Sequence, residues 1–329
     1  MQLQRLTTRV GFFKPVGQRT VVLNSGATVD KDVWLMRACF PLTDAPALMS
    51  PVIVSSGFTR RYIDHREAAA LTQRIVTAFD TLAADKDIVV IEGTGHAGVG
   101  AVFDLSNARV AQLLQSPVVL VSSGGIGRPV DEILLNAALF RQHGVVIKGV
   151  IINKVIPHKL SEIADYTRRA LAWHGIPVLG VVPYAPLLSQ PTLREVAASI
   201  EGVCLSGEQS LARLFAHVML ATHYADDFAS RVMPHTLLVT SGEQADLLVA
   251  CAGDEPHTVE LQRNVAGIVL TDGVEPKSHI VKMLRHAQLP VLLSDMPAFD
   301  ATRRLSMMTA KIQPDNIEKR AAIDDLFAR

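Results

Sequence analysis

Three polar residues stand where short apolar runs of the sequence end, and their types suit the binding of a phosphate-bearing ligand. Lys14 follows "VGFF", Glu92 follows "DIVVI" and Asn153 follows "GVII". A lysine neutralises phosphate charge, a carboxylate can hold a divalent metal, and an amide can pair with the edge of an adenine-like base. If the runs are parallel strands, their carboxyl ends meet at one edge of a sheet. We therefore predict that the three side chains share one pocket.

Each of these residues also has a purely structural interpretation. Glu92 could hold a metal ion or a substrate amine, or it could cap a helix after a glycine turn. Asn153 could contact a base, or its side chain could bond its own backbone, as loop asparagines do. Strand ends are, moreover, often simply polar. The residue types alone leave these alternatives open.

Two glycine-rich segments follow predicted strands and would let a ligand approach the backbone. "EGTGHAGVG" spells G-x-G-x-x-G with Gly93, Gly95 and Gly98, but no acidic residue ends the next strand, as nicotinamide dinucleotide binding requires. Glycines also disfavour the helix that this motif should open, by about 1 kcal/mol each. "SSGGIGRPVDE" places Gly124 and Gly125 before a helix, where backbone N–H groups could cradle an anion or simply form a turn.

The elements that must position these residues are predicted from the alternation of the sequence. Short Val- and Ile-rich runs alternate with longer amphipathic stretches from "DIVVIEG" to "IPVLGVVPY". Strands that are apolar on both faces and separated by helices indicate a parallel sheet covered on two sides. We predict a doubly wound α/β domain over residues 1–202. The alternation breaks near "AASIEGVCLSGEQS" and restarts, which predicts a second, smaller α/β domain over residues 203–329.

The composition limits the classes of partner. The 329 residues are 49% hydrophobic and 19% charged, which is typical of a globular protein. The 32 basic and 32 acidic residues cancel, so no overall charge attracts nucleic acid or an anionic membrane. Three distant cysteines without a C-x-x-C pair favour a reducing compartment, and we expect a cytoplasmic protein. The partners that we expect are small molecules or proteins.

Several of these segments together resemble a known family. "FKPVGQR", "VVIEGTGHAGVGAVFDLSNARVAQLL", "VVLVSSGGIGRPVDEILLN" and "GVIINKV" are similar to the dethiobiotin synthetase-like P-loop domain at the N-terminus of long phosphate acetyltransferases. The second domain resembles the DRTGG domain that follows it there. The resemblance implies that Lys14 faces the phosphates of ATP, that Asp32 and Glu92 bind Mg²⁺, and that Lys14 and Glu92 are the catalytic candidates. The implied nucleotide-binding residues are Lys14, Gly93, Gly95, Gly124, Gly125, Asn153, Lys154 and Pro183.

The sequence departs from the family's pattern in three places. The family opens with a strand and a G-x-x-x-x-G-K-[ST] loop, which these residues do not contain, so the predicted sheet lacks its first, central strand. The acetyltransferase domain that follows the DRTGG domain has no counterpart before Arg329. In the second domain, the Asp-Arg-Thr-type turn is replaced by residues that include Gly242, Glu243 and Asp246, without the arginine. We expect either that upstream residues complete the first domain or that the chain is a remnant that binds partners.

The resemblance and its departures together predict a function. The main hypothesis is a nucleotide-sensing or regulatory protein that is linked to acetyl-phosphate and acetyl-CoA metabolism. We expect it to be a homo-oligomer through its C-terminal domain, with an acetyltransferase as a further partner. ATP turnover is not expected without the phosphate loop. The alternatives are an ATP-dependent ligase of the dethiobiotin or cobyrinate diamide synthase type, and an inactive scaffold.

Overall fold

The computed structural model describes residues 3–23, 26, 28–223, 228–253, 258–310 and 312–328. The contacts within the chain divide it into two units, Met1–Tyr184 with Leu326–Arg329, and Ala185–Asp325. The boundary that the sequence predicts lies near residue 203. Whether either segment folds as an independent domain stays a prediction.

The first unit alternates short strands with helices. Its strands are β1 (Val10–Phe13), β2 (Val16–Gly17), β3 (Thr20–Val22), β4 (Thr28–Asp30), β5 (Val52–Ile53), β6 (Ile88–Ile91), β7 (Val118–Ser123), β8 (Ile147–Val155) and β9 (Val178–Pro183). Its helices are α1 (Lys31–Cys39), α2 (Pro46–Met49), α3 (Phe58–Asp64), α4 (Ala68–Ala83), α5 (Asn107–Leu113), α6 (Arg128–Gln142) and α7 (Leu160–Ala172).

The strands of the first unit form separate groups. β1 pairs with β6, β2 pairs with β5, and β7, β8 and β9 pair in that order, all in parallel. β3 and β4 form an antiparallel pair that leads directly into α1. The predicted α/β class with parallel strands is confirmed. The hydrogen-bonded ladder is not continuous, however, because within the described residues β6 and β7 do not pair with each other.

Amphipathic helices cover the strands of this unit. Leu71, Ile75, Ala78 and Leu82 lie on one face of α4, at the spacing of an apolar helical stripe, and they share a core with the buried Phe13. A second core joins α6 and α7 to β8. The strands β1 and β6 are thereby packed against α4, and β8 is packed against α6 and α7.

The second unit is built around one sheet. Its strands are β10 (Val203–Ser206), β11 (His217–Leu220), β12 (Thr236–Ser241), β13 (Val265–Thr271) and β14 (Val291–Leu293). The remaining helices are α8 (Pro186–Ser189), α9 (Leu193–Ser199), α10 (Phe228–Arg231), α11 (Ala245–Ala252), α12 (Val259–Asn264), α13 (Ser278–His286), α14 (Ala298–Ser306) and α15 (Ile317–Ala328).

The five strands of this sheet are ordered β10-β14-β13-β12-β11 and are parallel except for β10. β13 is buried at each of its seven positions. Ile268 and Leu270 pack into one core, whereas Val269 packs into another, because successive side chains of a strand point to opposite faces. The sheet is therefore covered on both sides, as the apolar run "AGIVL" predicts. Among the described residues, no helix is long and apolar enough to span a membrane.

Candidate functional site

Lys14 is held between two carboxylates where β1 and β6 end. The parallel register pairs Phe13 with Ile91, and the backbone N–H of Glu92 donates to the carbonyl of Phe13 at 2.9 Å. This register brings the next residues of both strands together. The Lys14 Nζ lies 3.0 Å from Glu92 Oε1 and 2.5 Å from Asp32 Oδ2. Because only 5% of the lysine side chain is exposed, the two carboxylates replace its hydration.

Asp32 reaches the lysine because a helix starts beside it. Asp30 is the N-cap of α1, and its carboxylate accepts from the backbone N–H groups of Asp32 and Val33 at 2.9 and 3.3 Å. Aspartate is favoured at this position because it satisfies N–H groups that have no partner in the helix. The cap fixes the first turn of α1, which carries Asp32 toward Lys14.

The cluster contains three carboxylates and one ammonium group. Burial opposes the charge of Lys14, but the hydrogen bond to Asp32 and the charge of Glu92 outweigh it and raise the pKa of the lysine. Burial raises the pKa of Glu92, and the neighbouring Asp32 and Asp30 add to this effect while Lys14 opposes it. The pKa of Asp30 is also raised, mainly by burial. The cluster thus has a surplus of negative charge, which favours a further cation.

The glycine-rich loop after β6 is fixed by two asparagine side chains. Asn107 Nδ2 donates to the carbonyls of Thr94 and His96 at 2.8 Å, and its Oδ1 accepts from the Thr94 N–H at 3.2 Å. Asn136 Oδ1 accepts from the Ala97 N–H at 2.7 Å. A Cβ on Gly93 would lie 2.9 Å from Asn107 Oδ1, so the glycine is what lets this side chain approach.

Sequence reasoning missed both asparagines. Their positions were the only sign in the sequence of a special role. Asn107 begins α5 after the loop, and Asn136 lies within α6 although asparagine is a poor helix former.

A cavity of about 550 Å³ opens beside this loop. Its walls are the end of β6 with the glycine loop, the whole of β7, and one side each of α5 and α6. Among the described residues that line it, none is lysine or arginine, whereas Glu92 and Glu132 are acidic. The candidates Glu92, Gly93 and Gly95 line this cavity, and Lys14 adjoins it through its contact with Glu92.

The remaining candidates are not among the residues that line the cavity, and four of them have structural roles. Asn153 lies in β8, paired with Ser123, and its Oδ1 accepts from the N–H of Lys154 at 2.8 Å. This is the local backbone bond that the sequence left open as an alternative. A Cβ on Gly124 would lie 2.8 Å from Val155 Cγ2, so this glycine lets the turn approach β8. Gly125 has φ +149°, where side chains are strained, and Pro183 pairs with Val155.

The carboxylates fit Mg²⁺ only together with a ligand. Among the described residues, no three His, Cys, Asp or Glu side chains are arranged to hold a metal ion. Asp32 and Glu92 nevertheless place one oxygen each around the Lys14 Nζ. Mg²⁺ commonly binds one or two carboxylates and completes its coordination with substrate phosphates and water. The donor set therefore suits a magnesium–phosphate complex better than a free ion.

The turn after β12 in the second unit has a packing role. A Cβ on Gly242 would overlap the carbonyl oxygen of Val274, so the backbone of this turn rests directly on the loop after β13. Glu243 and Asp246 are exposed, and the sequence has no arginine here. The turn thus offers negative charge rather than an anion site.

Comparison with known proteins identifies relatives for the whole chain. Residues 1–192 match the AAA domain family, and residues 195–308 match the DRTGG domain family. The phosphate acetyltransferase of Pseudomonas putida is 26% identical over 99% of this chain and 47% of its own length. That of a Synechocystis species is 26% identical over 96% and 45%, and that of Deinococcus radiodurans is 24% identical over 99% and 46%. The chain thus spans about half the length of the curated relatives that it matches.

A solved structure also aligns in part with this chain. It is the crystal structure of the CBS and DRTGG domains of the regulatory region of Clostridium perfringens pyrophosphatase, complexed with its activator diadenosine tetraphosphate. The alignment covers 63% of this chain and 85% of that one, at 10% identity. A TM-score of 0.28 is too low for any inference from this likeness.

Proposed function

Because the chain belongs to the AAA domain family and carries a DRTGG domain behind that domain, we propose that it is a nucleotide-sensing regulatory module. The matches bear out the resemblance to the N-terminal half of long phosphate acetyltransferases, and those relatives support our proposal that the module serves acetyl-phosphate and acetyl-CoA metabolism. The observation that carries the proposal is the contact of the buried Lys14 with Asp32 and Glu92, next to a glycine-lined cavity.

The ligand that we propose is ATP or another nucleotide with Mg²⁺. Asp32 and Glu92 would hold the metal ion, whose charge would neutralise part of the phosphate charge. Lys14 would supply a second positive charge from the same cluster. The glycine loop, whose Thr94 N–H and carbonyl both bond Asn107, is already ordered and would not need to reorganise on binding.

A regulatory role is favoured over turnover by the small number of cations. A phosphoryl-transfer site surrounds the phosphates with several positive groups and N–H donors. Lys14 is the one cation that the described part of the chain brings to this cluster, and the cavity lining adds one further carboxylate, that of Glu132. Nucleotide binding that a partner protein senses requires less neutralisation of the phosphate charge than phosphoryl transfer does.

The proposal also covers the partner, the oligomeric state and the cellular location of the module. We infer an acetyltransferase as its partner, since the relatives carry that activity in their names. A homo-oligomer through the second unit and a cytoplasmic location are further parts of the proposal. The three free cysteines, Cys39, Cys204 and Cys251, suit a reducing compartment.

Isothermal titration calorimetry with Mg-ATP tests the proposal. We expect the chain to bind Mg-ATP and Glu92→Gln to bind at least tenfold more weakly, because the variant loses a metal ligand. Glu132→Gln is the matched control, since Glu132 also lines the cavity but is ion-paired to Arg128 on the surface of α6. It should bind within twofold of the unchanged chain, and with EDTA the three proteins should bind ATP equally weakly.

The alternatives give different results in the same experiment. Turnover of ATP that a small amine or carboxylate stimulates would support a ligase. An absence of both binding and turnover would leave a scaffold. Equal binding by the Glu92→Gln variant and the unchanged chain would remove Glu92 from the site.

A further inference from the structure

The first turn of α15 buries two polar residues and exposes an apolar one. Asn316 directly precedes the helix and is 7% exposed, and Lys319, the third residue of the helix, is 0% exposed. Ile317 lies between them in the sequence and is 77% exposed. A helix on a protein surface normally turns its apolar residues inward and its charged residues outward. The orientation of this turn therefore serves the buried amide and ammonium groups, because it leaves the isoleucine in water.

The nitrogen atoms of both buried side chains lack a partner. Among the described residues, neither Asn316 Nδ2 nor Lys319 Nζ has a hydrogen-bond acceptor. Buried polar side chains nearly always have one, because removing a donor from water without a replacement is strongly unfavourable. Two such donors within one turn of a helix indicate a binding group with at least two acceptor atoms.

The carboxylate of Glu195 does not satisfy this lysine. Burial lowers the pKa of Lys319, and the charge of Glu195 opposes this effect without cancelling it. Glu195 Oε2 accepts from the N–H of Thr192 at 2.9 Å and from its hydroxyl at 3.2 Å, as part of the capping box of α9. The position of the carboxylate is therefore set by its own helix. The described residues thus leave the ammonium group of Lys319 without a direct acceptor.

Helix geometry directs both side chains to one place. Residues three apart lie on one face of a helix, and their side chains lean toward its amino end, so Lys319 reaches back toward Asn316. The first N–H groups of α15 lie at the same end and have no acceptor within the helix. They give this end of a 12-residue helix a partial positive charge. The acidic neighbours Asp315 and Glu318 are exposed, whereas the two unpartnered nitrogens are buried.

An oxyanion meets the requirements of this donor set. A phosphate or a carboxylate carries several acceptor oxygens and a negative charge, and helix N-termini bind both groups. Lysine is a common phosphate ligand, and the amide of Asn316 can donate to a second oxygen of the same group. A neutral acceptor would take the hydrogen bonds but would not stabilise the ammonium charge of Lys319.

We propose that Asn316 and Lys319 form an anion-binding site at the amino end of α15, which takes a small oxyanion, a phosphate or a carboxylate. Because the lysine side chain is buried, the anion enters when the first turn of α15 moves, and it holds this turn in place once bound. The site lies in the second unit and shares no residue with the cluster around Lys14. It is a second ligand site, and it does not rest on the nucleotide proposal.

Thermal unfolding of the full chain tests this site in sodium phosphate, sodium acetate and sodium chloride at equal ionic strength. We expect one oxyanion to raise the unfolding temperature above its value in chloride, because a ligand that binds the folded chain stabilises it. A larger rise in phosphate identifies a phosphate ligand, and a larger rise in acetate identifies a carboxylate ligand. Phosphate also stabilises proteins without binding to a site, so isothermal titration calorimetry with variants accompanies the measurement.

Two variants separate a built site from a general effect of salt. Asn316→Asp keeps a good helix cap and supplies a carboxylate as the acceptor for the lysine. Lys319→Met removes the buried charge and keeps an unbranched side chain. Both variants should unfold at a higher temperature than the unchanged chain in chloride, and both should bind the anion at least tenfold more weakly. Lys282→Met removes an exposed lysine of α13 and is the matched control, which should bind the anion within twofold of the unchanged chain.

The proposal is overturned if neither oxyanion has more effect than chloride, or if the effect is the same in Lys319→Met as in the unchanged chain. It is also overturned if Lys319→Met unfolds at a lower temperature in chloride, since the lysine would then have a stabilising partner within the chain. The test of nucleotide binding depends on Glu92 and Mg²⁺ and not on Lys319. A failure here is therefore distinct from a failure of the nucleotide proposal.

Discussion

The two units use similar apolar strands in different surroundings. In the second unit, β13 lies between β12 and β14, and Val269 is completely buried. In the first unit, β7 pairs within the described part of the chain with β8 alone, and Val121 is 65% exposed. Both valines come from runs that are apolar on both faces, "VVLV" and "GIVL". The comparison teaches that an apolar run fixes the tendency to form a strand, whereas its neighbours decide whether the strand is buried.

This difference implies an uneven distribution of stability. Burial of apolar area contributes about 25 cal/mol per Å², so β13, which is buried at all seven positions, gains more from burial than β7, on which Val119 and Val121 are exposed. The first unit also has polar contacts that join loops to helices, such as those of Asn107 and of Tyr62, whose hydroxyl donates to Asp104 at 2.6 Å. Within the described residues, β6 and β7 each pair with a strand on one edge.

The largest expected effect comes from cutting back one leucine in each sheet. Leu270 in β13 is completely buried, and Leu270→Ala should lower the free energy of unfolding by about 3 kcal/mol through lost burial and a cavity. Leu179 in β9 is 53% exposed, and Leu179→Ala should cost about 0.5 kcal/mol. Urea denaturation followed by circular dichroism measures both. Equal losses of stability would show that the strands of the first unit are buried as well as β13 is.

A smaller effect is expected from adding a methyl group to one glycine in each unit. Gly242→Ala would overlap the carbonyl oxygen of Val274, and the required backbone shift should cost about 2 kcal/mol. Gly180 lies in β9, and no atom lies within 4 Å of the place that a Cβ would take, so Gly180→Ala should change stability by less than about 0.5 kcal/mol. Thermal unfolding of both variants measures the two losses of stability. A large loss of stability for Gly180→Ala would mean that β9 is packed more tightly than the end of β12.

Much of the fold was predictable because it depends on local patterns. The segment "RPVDEILLNAALFRQHG" predicts the helix α6, and "PDNIEKRAAIDDLFAR" predicts a terminal helix at α15. Strand ends likewise predict that Lys14 and Glu92 meet, since parallel register follows from alternation of strands and helices.

Other features depend on pairings that no local pattern contains. The contact of Asp32 with Lys14 requires the β3–β4 pair and the cap by Asp30, so the sequence suggested it only through the family. The bond of Asn153 to the next residue depends on a backbone angle, since Lys154 has φ +59°. Side-chain partners of this kind depend on how strands and helices are aligned with one another in the folded chain. Composition and periodicity give no information about that alignment.

The smallest expected effect concerns the buried ion pairs of the first unit. Lys14→Met in EDTA leaves Asp30, Asp32 and Glu92 facing one another, and it should cost about 1–2 kcal/mol at neutral pH. Lys148 is exposed on β8, and Lys148→Met is the control that should change stability by less than about 0.5 kcal/mol. A loss for the control as large as that for Lys14→Met would mean that charge, rather than the buried contact, sets the effect.

The dependence of this loss on pH follows from the direction of the pKa shifts. The raised pKa of Lys14 means that its contribution is complete below its ordinary value of 10.5 and is lost as the pH rises through the folded-state pKa. The raised pKa of Glu92, caused first by burial, means that the folded protein holds this proton above the ordinary value of 4.5, so stability falls as the pH rises through that window. Without Lys14 the carboxylates repel more strongly, and the fall should steepen. Urea denaturation between pH 4 and pH 8 should therefore show curves that diverge toward higher pH, and parallel curves would mean that the charge of Glu92 does not depend on Lys14.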